Sequence, residues 1–364
     1  MKQKKIIVFM PSVEGGGVEK NFFIITNYLA KKFNEVSVIC LSKNSKKNLS
    51  KKIKFVSLNN RSIKFLGRRI KFIISLILLF KEIIINRNST VFCFQGIVYC
   101  TILCKIFSTK IVIRSNSSPS GWSNNFIKQL LYKYIYGLAD LIIVNSYEFK
   151  KEFKKKFNLK SICIYNPLNK LEILNKAKKK IKLNFFNKEK FKIISVARFS
   201  KQKDHACLIK AIQLLNKSVK NVRLLMIGSG SETKKIQNLI NELELNKIAK
   251  ILSFKENPFP YIKKADLFIL SSNFEGLPNV LLEAIVLNKF VISSNCPTGP
   301  SEILDHGKGG LLFKVGDHKS LYKKILIFRK NKKNSNNKKI YANKRLYRFD
   351  KSLNLSKYYE ILAK

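Results

Sequence analysis

A chain of 364 residues, 46% of them hydrophobic, is long enough for two domains with substantial cores, which excludes a disordered basic tail. The 71 Lys and Arg residues outnumber the 22 Asp and Glu residues and leave a formal net charge of +49. The lysines are spread along the chain, which favours compositional bias as their main cause. Attraction to nucleic acid or to an anionic membrane face is the alternative explanation.

Strand and helix patterns alternate along the chain, which predicts parallel sheets with helical crossovers. In the first half the predicted strands are Ile6–Met10, Val36–Leu41, Ile53–Leu58, Thr90–Phe94, Lys110–Arg114, Leu141–Asn145 and Ser161–Tyr165. In the second half they are Phe191–Val196, Val222–Ile227, Ile251–Phe254, Leu267–Leu270, Phe290–Ser293 and Gly310–Phe313. A polar, basic run at 329–339 precedes a last helix. We expect an N-terminal domain over residues 1–168, a linker over 169–190, a C-terminal domain over 191–345 and a terminal helix over 346–364.

Two carboxylates, Glu275 and Glu283, bracket the segment that follows the apolar run at 266–272. Pro278 suits the first turn of a helix, because the N–H that proline lacks would be unpaired there. Glu275 is therefore expected in the loop at the carboxyl end of a strand, and Glu283 about two turns into the next helix. Ligands of open α/β sheets bind at that edge, and a helix N-terminus there favours phosphate.

A basic loop follows the predicted strand at 191–196 and precedes a helical pattern, and it contains Arg198 and Lys203. Arg presents a planar fork that matches phosphate, and Lys adds a mobile point charge. In a chain so rich in lysine, two solvated surface cations are the alternative interpretation. Their position at a strand end favours an anion site.

Taken in order, these motifs resemble family 4 of the retaining nucleotide-sugar glycosyltransferases. The resemblance covers nearly the whole chain. It also includes the glycine-rich segment at 11–20 and the segments at 139–146, 165–168 and 296–304. It implies an α/β fold of the GT-B type, with two Rossmann-like domains facing across a cleft and a terminal helix that crosses back onto the first domain.

The resemblance also implies roles for individual residues. Arg198 and Lys203 would hold the donor diphosphate, while Glu275 would position the donor sugar and Glu283 the ribose. Further donor-binding residues implied in this way are Gly16, Gly17, Gly228, Gly276, Leu277 and Glu302. For the glycines of the first loop and for Gly228, a tight strand–helix turn is the alternative. Glu302 would also simply complement a helix dipole.

Asn116 stands where many relatives carry a histidine after the strand at 110–114. An amide cannot act as a base at neutral pH, so the acceptor proton would pass to a substrate phosphate or to another group. We expect His205, His306 and His318 to be structural or surface residues. The sequence has no Asp-x-Asp motif and no zinc-type cluster, so we expect no metal and no cofactor, and the nucleotide sugar is the donor substrate.

The chain is expected to be cytoplasmic, with the inner face of the cell membrane as a candidate location. Its seven cysteines are scattered without a C-x-x-C pair, which is typical of a reduced compartment. The basic start is followed by too short an apolar run for a signal peptide. The longest apolar run, at 72–80, is shorter than the ~20 residues that span a bilayer. Basic and apolar residues at 64–85 nevertheless suit an anionic membrane surface, and those at 126–135 suit either such a surface or an ordinary core-facing helix.

We therefore predict a metal-independent, retaining glycosyltransferase that moves a hexose or N-acetylhexosamine from a nucleotide diphosphate sugar to a lipid-linked glycan. Lipopolysaccharide, O-antigen or capsule biosynthesis is the expected pathway, and the loop at 296–304 resembles that of UDP-sugar enzymes. Two alternatives remain, a nucleotide-sugar epimerase of similar fold and a basic nucleic-acid-binding protein. The second would need a compact basic patch interleaved with aromatic residues. Because the charge is diffuse, no nucleic-acid partner is expected.

Overall fold

The computed structural model describes residues 5–13, 16–58, 67–116, 125–187 and 190–364. The chain divides into two compact units. The first comprises Met1–Pro167 together with Lys351–Lys364, and the second comprises Leu168–Asp350. Residues 169–190, expected as a linker, belong to the second unit.

The first unit is built on a seven-stranded sheet in the order β3-β2-β1-β4-β5-β6-β7, and all its pairs are parallel. Its strands are β1 (Lys5–Phe9), β2 (Glu35–Ile39), β3 (Lys54–Val56), β4 (Thr90–Cys93), β5 (Lys110–Ser115), β6 (Leu141–Val144) and β7 (Ile162–Cys163). The helices between them are α1 (Gly17–Leu29), α2 (Arg68–Ile85), α3 (Ile97–Ile106), α4 (Phe126–Gly137) and α5 (Tyr147–Phe157). A short 3₁₀ helix covers Lys43–Asn48.

Apolar side chains cover both faces of this sheet, as expected for parallel strands. Ile6 and Val8 of β1 belong to one hydrophobic core, whereas Ile7 and Phe9 belong to another. Because successive side chains of a strand point to opposite faces, a continuous apolar run such as β1 is what a sheet covered on both sides requires.

The second unit is built on a six-stranded parallel sheet in the order β10-β9-β8-β11-β12-β13. Its strands are β8 (Phe191–Val196), β9 (Val222–Ile227), β10 (Ala249–Leu252), β11 (Leu267–Leu270), β12 (Phe290–Ser294) and β13 (Leu311–Phe313). Its helices are α6 (Lys170–Lys176), α7 (His205–Ser218), α8 (Thr233–Glu242), α9 (Phe259–Lys264), α10 (Asn279–Val286), α11 (Pro300–Ile303), α12 (His318–Lys330) and α13 (Lys332–Arg345). Short 3₁₀ helices cover Lys201–Lys203 and Leu346–Phe349.

The chain then returns to the first unit through α14 (Lys351–Ala363). Leu355, Tyr358 and Leu362 of this helix are buried in the core that contains Ile6 and Val8. Tyr358 also accepts a hydrogen bond at its hydroxyl from Arg114 Nε, 2.9 Å away. The terminal helix is thus part of the packing of the first sheet.

All thirteen predicted strands form, and β8, β9 and β11 have the predicted bounds. The strand predicted at Ile251–Phe254 begins earlier, at Ala249, because Ala249 is buried while Phe254 is 60% exposed. The basic run at 329–339 is helical, at the end of α12 and in α13.

Both sheets reverse their strand order next to their first strand. In the second sheet β8 is followed by β9 and β10 on one side, while β11 lies directly against its other side. The carboxyl end of this β8–β11 pair is the place where open α/β sheets bind their ligands.

Candidate active site

The loop after β8 carries the two predicted phosphate-binding cations. Arg198 is exposed and lies two residues beyond the strand, whereas Lys203 is half-buried at the end of the 3₁₀ turn. Asp204 has a positive φ of 41° and caps α7, because its side chain accepts a hydrogen bond from the backbone N–H of Cys207. The turn therefore ends at Lys203 and the helix begins at His205.

The loop after β9 packs against this segment through its glycines. A side chain at Gly228 would put its Cβ 1.9 Å from the carbonyl oxygen of Ala197, and one at Gly230 would be 2.1 Å from that of Phe199. Phe199 also donates its backbone N–H to the carbonyl of Ser229 at 2.9 Å. Glycine is required here because two backbones meet without room for a Cβ. Gly228 thus adjoins the segment that carries Arg198.

The loop after β11 is joined to the same segment from the other side. Lys203 Nζ lies 2.5 Å from Glu275 Oε1, which also accepts a hydrogen bond from Ser272 Oγ at 2.6 Å. The hydroxyl of Ser271 donates to the backbone carbonyl of Lys203 at 2.9 Å. Gln202 adds a further contact between the two loops, because its side-chain N–H donates to the Phe274 carbonyl at 2.8 Å.

This ion pair is largely withdrawn from solvent. The side chain of Lys203 is 17% exposed and that of Glu275 is 8% exposed. Charge interactions are stronger in such a place than on the surface, because there is less water to screen them. The pair therefore fixes a carboxylate at the β8–β11 edge and leaves two further N–H groups of the Lys203 ammonium for another acceptor.

The loop after β12 completes the same edge. Thr298 donates its hydroxyl to the backbone carbonyl of Glu275 at 2.6 Å. Gly299 has a φ of +83°, and a Cβ there would lie 2.1 Å from the carbonyl oxygen of Gly276. Gly299 is therefore required both by its backbone conformation and by the close approach of the 275–276 loop.

Two more predicted carboxylates lie on the short helices that follow these loops. Glu283 is in the middle of α10 and Glu302 is in α11, and both are buried. Pro278 stands just before the first residue of α10 rather than within its first turn, so Glu283 is its fifth residue. Leu277 and Gly276 are buried in the loop that leads to this helix.

The second unit thus brings the loops of Arg198, Lys203, Gly228 and Glu275 to one sheet edge. Gly16 and Gly17 belong to the first unit, where Gly16 precedes α1 with an extended backbone and Gly17 is the first helical residue. Gly15 of the same loop lies outside the described residues.

Asn116 is held in place within the first unit. Its amide donates to the carbonyl of Phe94 at 3.0 Å, and its oxygen accepts a hydrogen bond from Arg114. Arg114 is fully buried, and its other donors reach Tyr358 and Asn166. The residue at the usual histidine position is therefore locked by hydrogen bonds.

Three site residues were not predicted individually: Gln202, Ser272 and Thr298. Each joins one loop to another or orients Glu275. The available signal was small polar residues in the loops after apolar strands, with Ser271 and Ser272 directly after β11 and Thr298 four residues after β12.

Two ionisable groups beside this edge are held neutral. Burial, followed by the charge of Lys203, lowers the pKa of His205 from 6.5 to about 4. Burial, followed by the charge of Glu275, raises the pKa of the Cys296 thiol to about 12. His205 is thus a neutral structural residue at pH 7, and Cys296 lacks the thiolate that a nucleophile needs.

Across the described ranges, no group of three or more His, Cys, Asp or Glu side chains could hold a metal ion.

Comparison with known proteins agrees with this architecture. The family model for glycosyl transferases group 1 matches residues 176–345. The N-acetylgalactosamine-N,N'-diacetylbacillosaminyl-diphospho-undecaprenol 4-alpha-N-acetylgalactosaminyltransferase of Campylobacter jejuni is 30% identical over 335 residues, which cover 88% of both chains. An uncharacterized glycosyltransferase of Methanocaldococcus jannaschii is 36% identical over 223 residues, or 57% of this chain and 55% of that protein.

The fold has solved counterparts at lower identity. The HepE structure from Anabaena in complex with UDP and glucose has a TM-score of 0.79 and 18% identity, covering 99% of this chain and 100% of that one. The two parallel-sheet α/β units match this solved structure in fold, which is the GT-B fold. With its full-length relative from C. jejuni and its matched C-terminal segment, the chain belongs to the glycosyl transferases group 1 family.

Proposed function

We propose that this glycosyltransferase moves a hexose or N-acetylhexosamine from a UDP-sugar to a hydroxyl of a lipid-linked glycan, with retention at the anomeric carbon and without a metal. The observation that carries the donor half is the Lys203–Glu275 pair beside Arg198 at the β8–β11 edge. One short segment there offers cations for a diphosphate, and the neighbouring loop offers a carboxylate for sugar hydroxyls.

Each site residue has a defined part in this proposal. Arg198 and Lys203 hold the diphosphate, and the carboxylate of Glu275 accepts hydrogen bonds from the donor sugar. Gly276 and Leu277 offer backbone N–H groups to the sugar or phosphate, and Glu283 binds the ribose. Gly228 and Glu302 line the donor-side loops. Gly16 and Gly17 of the first unit approach the donor phosphate or the acceptor.

In the proposed reaction the acceptor oxygen forms a bond to the anomeric carbon on the face from which the diphosphate departs. The bond between that carbon and the β-phosphate oxygen breaks, and its electron pair leaves with UDP. The acceptor proton passes to the departing phosphate, because Asn116 cannot take it. Arg198 and Lys203 stabilise the charge that develops on the leaving group.

The choice of UDP and of a lipid-linked acceptor draws on the relatives. HepE was solved with UDP and glucose, and the C. jejuni relative is named for a diphospho-undecaprenol acceptor. The first unit has a surface that suits such an acceptor. Helix α2 has an exposed apolar stripe at helical spacing, formed by Ile70, Ile73, Ile77, Phe80 and Ile84, each at least 39% exposed.

Helices α3 and α4 pack with α2 on one core of the first sheet and also expose apolar side chains. Helix α4 exposes Phe126, Ile127, Leu130, Leu131 and Tyr134. Lys81, Lys128 and Lys133 are exposed among these apolar residues. Apolar side chains interspersed with lysine suit an anionic bilayer interface, so we propose that this face binds the membrane peripherally. Among the described residues no helix combines the length and hydropathy needed to cross a bilayer.

A thermal-shift panel tests the donor half of the proposal. UDP-, GDP-, ADP- and TDP-sugars are compared with and without EDTA, because a ligand that binds only the folded state raises the unfolding midpoint. We expect an EDTA-resistant shift with a UDP-sugar. That shift should disappear in Arg198→Ala and Glu275→Ala variants that retain the wild-type circular dichroism spectrum. An unchanged shift of the unfolding midpoint in both variants would contradict the proposed donor site.

The anomeric configuration of the product tests the mechanism. Proton NMR of the glycan made from an α-linked UDP-sugar should show an α linkage. A β linkage would contradict retention while leaving the donor site untouched.

A further inference from the structure

A second concave site lies at the opposite edge of the second sheet. It is a pocket of about 750 Å³ whose walls include the residues just before β8, β11 and β12, together with α12 and α13. The Arg198, Glu275 and Thr298 loops follow the carboxyl ends of the same strands. Strands of four to six residues separate the two edges, which corresponds to roughly 13–20 Å.

Five cationic side chains line this pocket. They come from distant parts of the chain and are Lys190, Lys289, Arg329, Lys332 and Lys339. Asp266 is the one carboxylate among the described lining residues, and it is already paired with Lys192 Nζ at 3.5 Å and accepts the Lys192 backbone N–H at 2.8 Å. The pocket therefore gathers positive charge that its own described walls do not neutralise.

The positive charges act on one another. Burial is the main cause that lowers the pKa of Lys289, and although Asp266 opposes this, the charges of Lys192, Lys339 and Lys263 lower it further. Lys289 donates to the backbone carbonyl of Ala265 at 2.8 Å, which fixes its position in the wall. The side chains of Lys332 and Lys339, which line the pocket, have no hydrogen bond or ion pair with any described residue. A bound anion would relieve this repulsion.

Three phenylalanine rings form an apolar side of the same pocket. Phe328 stacks between Phe191 and Phe290, with interplanar angles of 26° and 24°. The guanidinium of Arg329 lies 5.0 Å from the centre of the Phe191 ring. The pocket thus combines cations with aromatic surface, and its volume is that of a small-molecule site rather than of a single inorganic ion.

We propose that this pocket binds a multiply charged organic phosphate of the nucleoside triphosphate class, with its phosphates on the lysines and its ring against the phenylalanines. The occupant is distinct from the nucleotide sugar, because the lining residues precede the strands whose carboxyl ends carry the donor site. The inference goes beyond the proposed transferase reaction and does not depend on it.

Calorimetric titration with ATP in 150 mM salt tests the proposal, since that ionic strength screens attraction beyond about 8 Å. The pocket variant is Lys332→Glu/Lys339→Glu. The matched control is Lys333→Glu/Lys344→Glu, which changes the same net charge on the same helix, at residues that do not line the pocket. The residues proposed for the donor site are unchanged in both variants, so the difference between them reports on the pocket.

We expect the wild type and the control to bind ATP alike and the pocket variant to bind at least roughly tenfold more weakly, because two charge-assisted contacts are reversed. Equal affinity in all three proteins, an absence of ATP binding, or an equal loss in both variants would overturn the site. Tripolyphosphate supplies the phosphates without a ring and should bind more weakly than ATP. Tripolyphosphate that binds as tightly as ATP would overturn the aromatic part of the assignment.

Discussion

Lys203 and Glu275 form an ion pair across the reversal of strand order in the second sheet, with 2.5 Å between Lys203 Nζ and Glu275 Oε1. Lys203 follows β8 and Glu275 follows β11, and these two strands are neighbours although the residues lie 72 positions apart in the chain. The pair joins the cation proposed for the donor diphosphate to the carboxylate proposed for the donor sugar. A change in either residue should therefore disturb both halves of the donor site.

We expect Lys203→Met and Glu275→Gln each to lower the transferase kcat/KM by about 100-fold or more, as the loss of one preorganised electrostatic group does in other enzymes. The effect should lie in the chemical step, so kcat should fall as well as kcat/KM. Initial rates over a range of donor concentrations measure both constants. A wild-type kcat in either variant would show that the ion pair does not contribute to the chemical step.

The same pair should also contribute to folding. A double-mutant cycle on Lys203→Met and Glu275→Gln should give a coupling energy of about 1–3 kcal/mol, because both side chains are largely buried. The exposed pair Lys176–Glu172 is a matched control in the same unit, with side chains 54% and 36% exposed at a distance of 2.6 Å. Its coupling should be only about 0.3–0.5 kcal/mol. Urea unfolding supplies the free energies, and equal coupling in the two cycles would contradict the importance of burial.

Gly228→Ala should destabilise the second unit by about 1–3 kcal/mol, because the new Cβ would lie 1.9 Å from the Ala197 carbonyl and the loop must move. The displaced segment carries Arg198, so donor binding should weaken in the same variant. Gly137→Ala is the control, since its Cβ would make only an ordinary contact of 3.4 Å with Leu159. Thermal unfolding with and without a UDP-sugar measures both effects. An unchanged midpoint and an unchanged ligand shift in Gly228→Ala would show that the two loops separate without cost.

His205→Phe should make the protein more resistant to acid. His205 is buried, neither of its ring nitrogens has a hydrogen-bond partner among the described residues, and its pKa falls from 6.5 to about 4 on folding. Between these values the unfolded chain binds a proton that the folded chain does not, so stability drops as the pH falls through this window. The loss is about 1.4 kcal/mol per pH unit, or roughly 3 kcal/mol over the window.

Urea unfolding at pH 7, 6, 5 and 4.5 compares the two proteins. Phenylalanine keeps an aromatic ring beside Phe199, which contacts the imidazole edge to face. The wild type should therefore lose more stability than His205→Phe as the pH falls, while the two differ least near pH 7. Parallel stability curves would mean that His205 takes up its proton in the folded state at its ordinary pKa.

Ile73→Glu/Ile77→Glu should weaken binding to vesicles that contain anionic lipid. These side chains are 57% and 50% exposed in the middle of the α2 stripe, so the exchange removes apolar contact and adds negative charge. Leu171→Glu/Phe254→Glu is the control, because it makes the same change in charge at residues of the second unit that are 74% and 60% exposed. Flotation should retain the control with the vesicles and lose the α2 variant. Equal flotation of the α2 variant and the control would mean that net charge alone, and not the apolar stripe, accounts for vesicle binding.

Much of the fold was predictable because its signals are local. The strands β8, β9 and β11 are rich in apolar residues and each follows a polar residue, and each strand formed with the predicted bounds. The strand at Ala249–Leu252 was placed late because hydrophobicity alone does not distinguish a buried Ala249 from an exposed Phe254. That difference depends on whether a neighbouring element covers the residue.

The candidate site was predictable in part. The spacing of Glu275 and Glu283 can be read from the sequence, and so can the position of Arg198 after a predicted strand. The hydrogen bonds of Ser272 and Thr298 to Glu275 are not, because serine and threonine after a strand are equally compatible with an ordinary turn. Likewise the apolar run of α2 predicts a helix, but only its packing shows which of its faces remains exposed.

The order of residues along the chain was enough to predict the alternation of strands and helices, the residue types available for binding phosphate and sugar, and the resemblance to a known family. These properties depend on local periodicity and on the chemistry of single side chains. The three-dimensional packing was needed to show that Lys203 contacts Glu275, that Gly228 and Gly299 lie against carbonyl groups, and that five cations line a pocket at the far edge of the same sheet. The reason is strand order, because hydrogen bonding between parallel strands brings together residues that are distant in the chain.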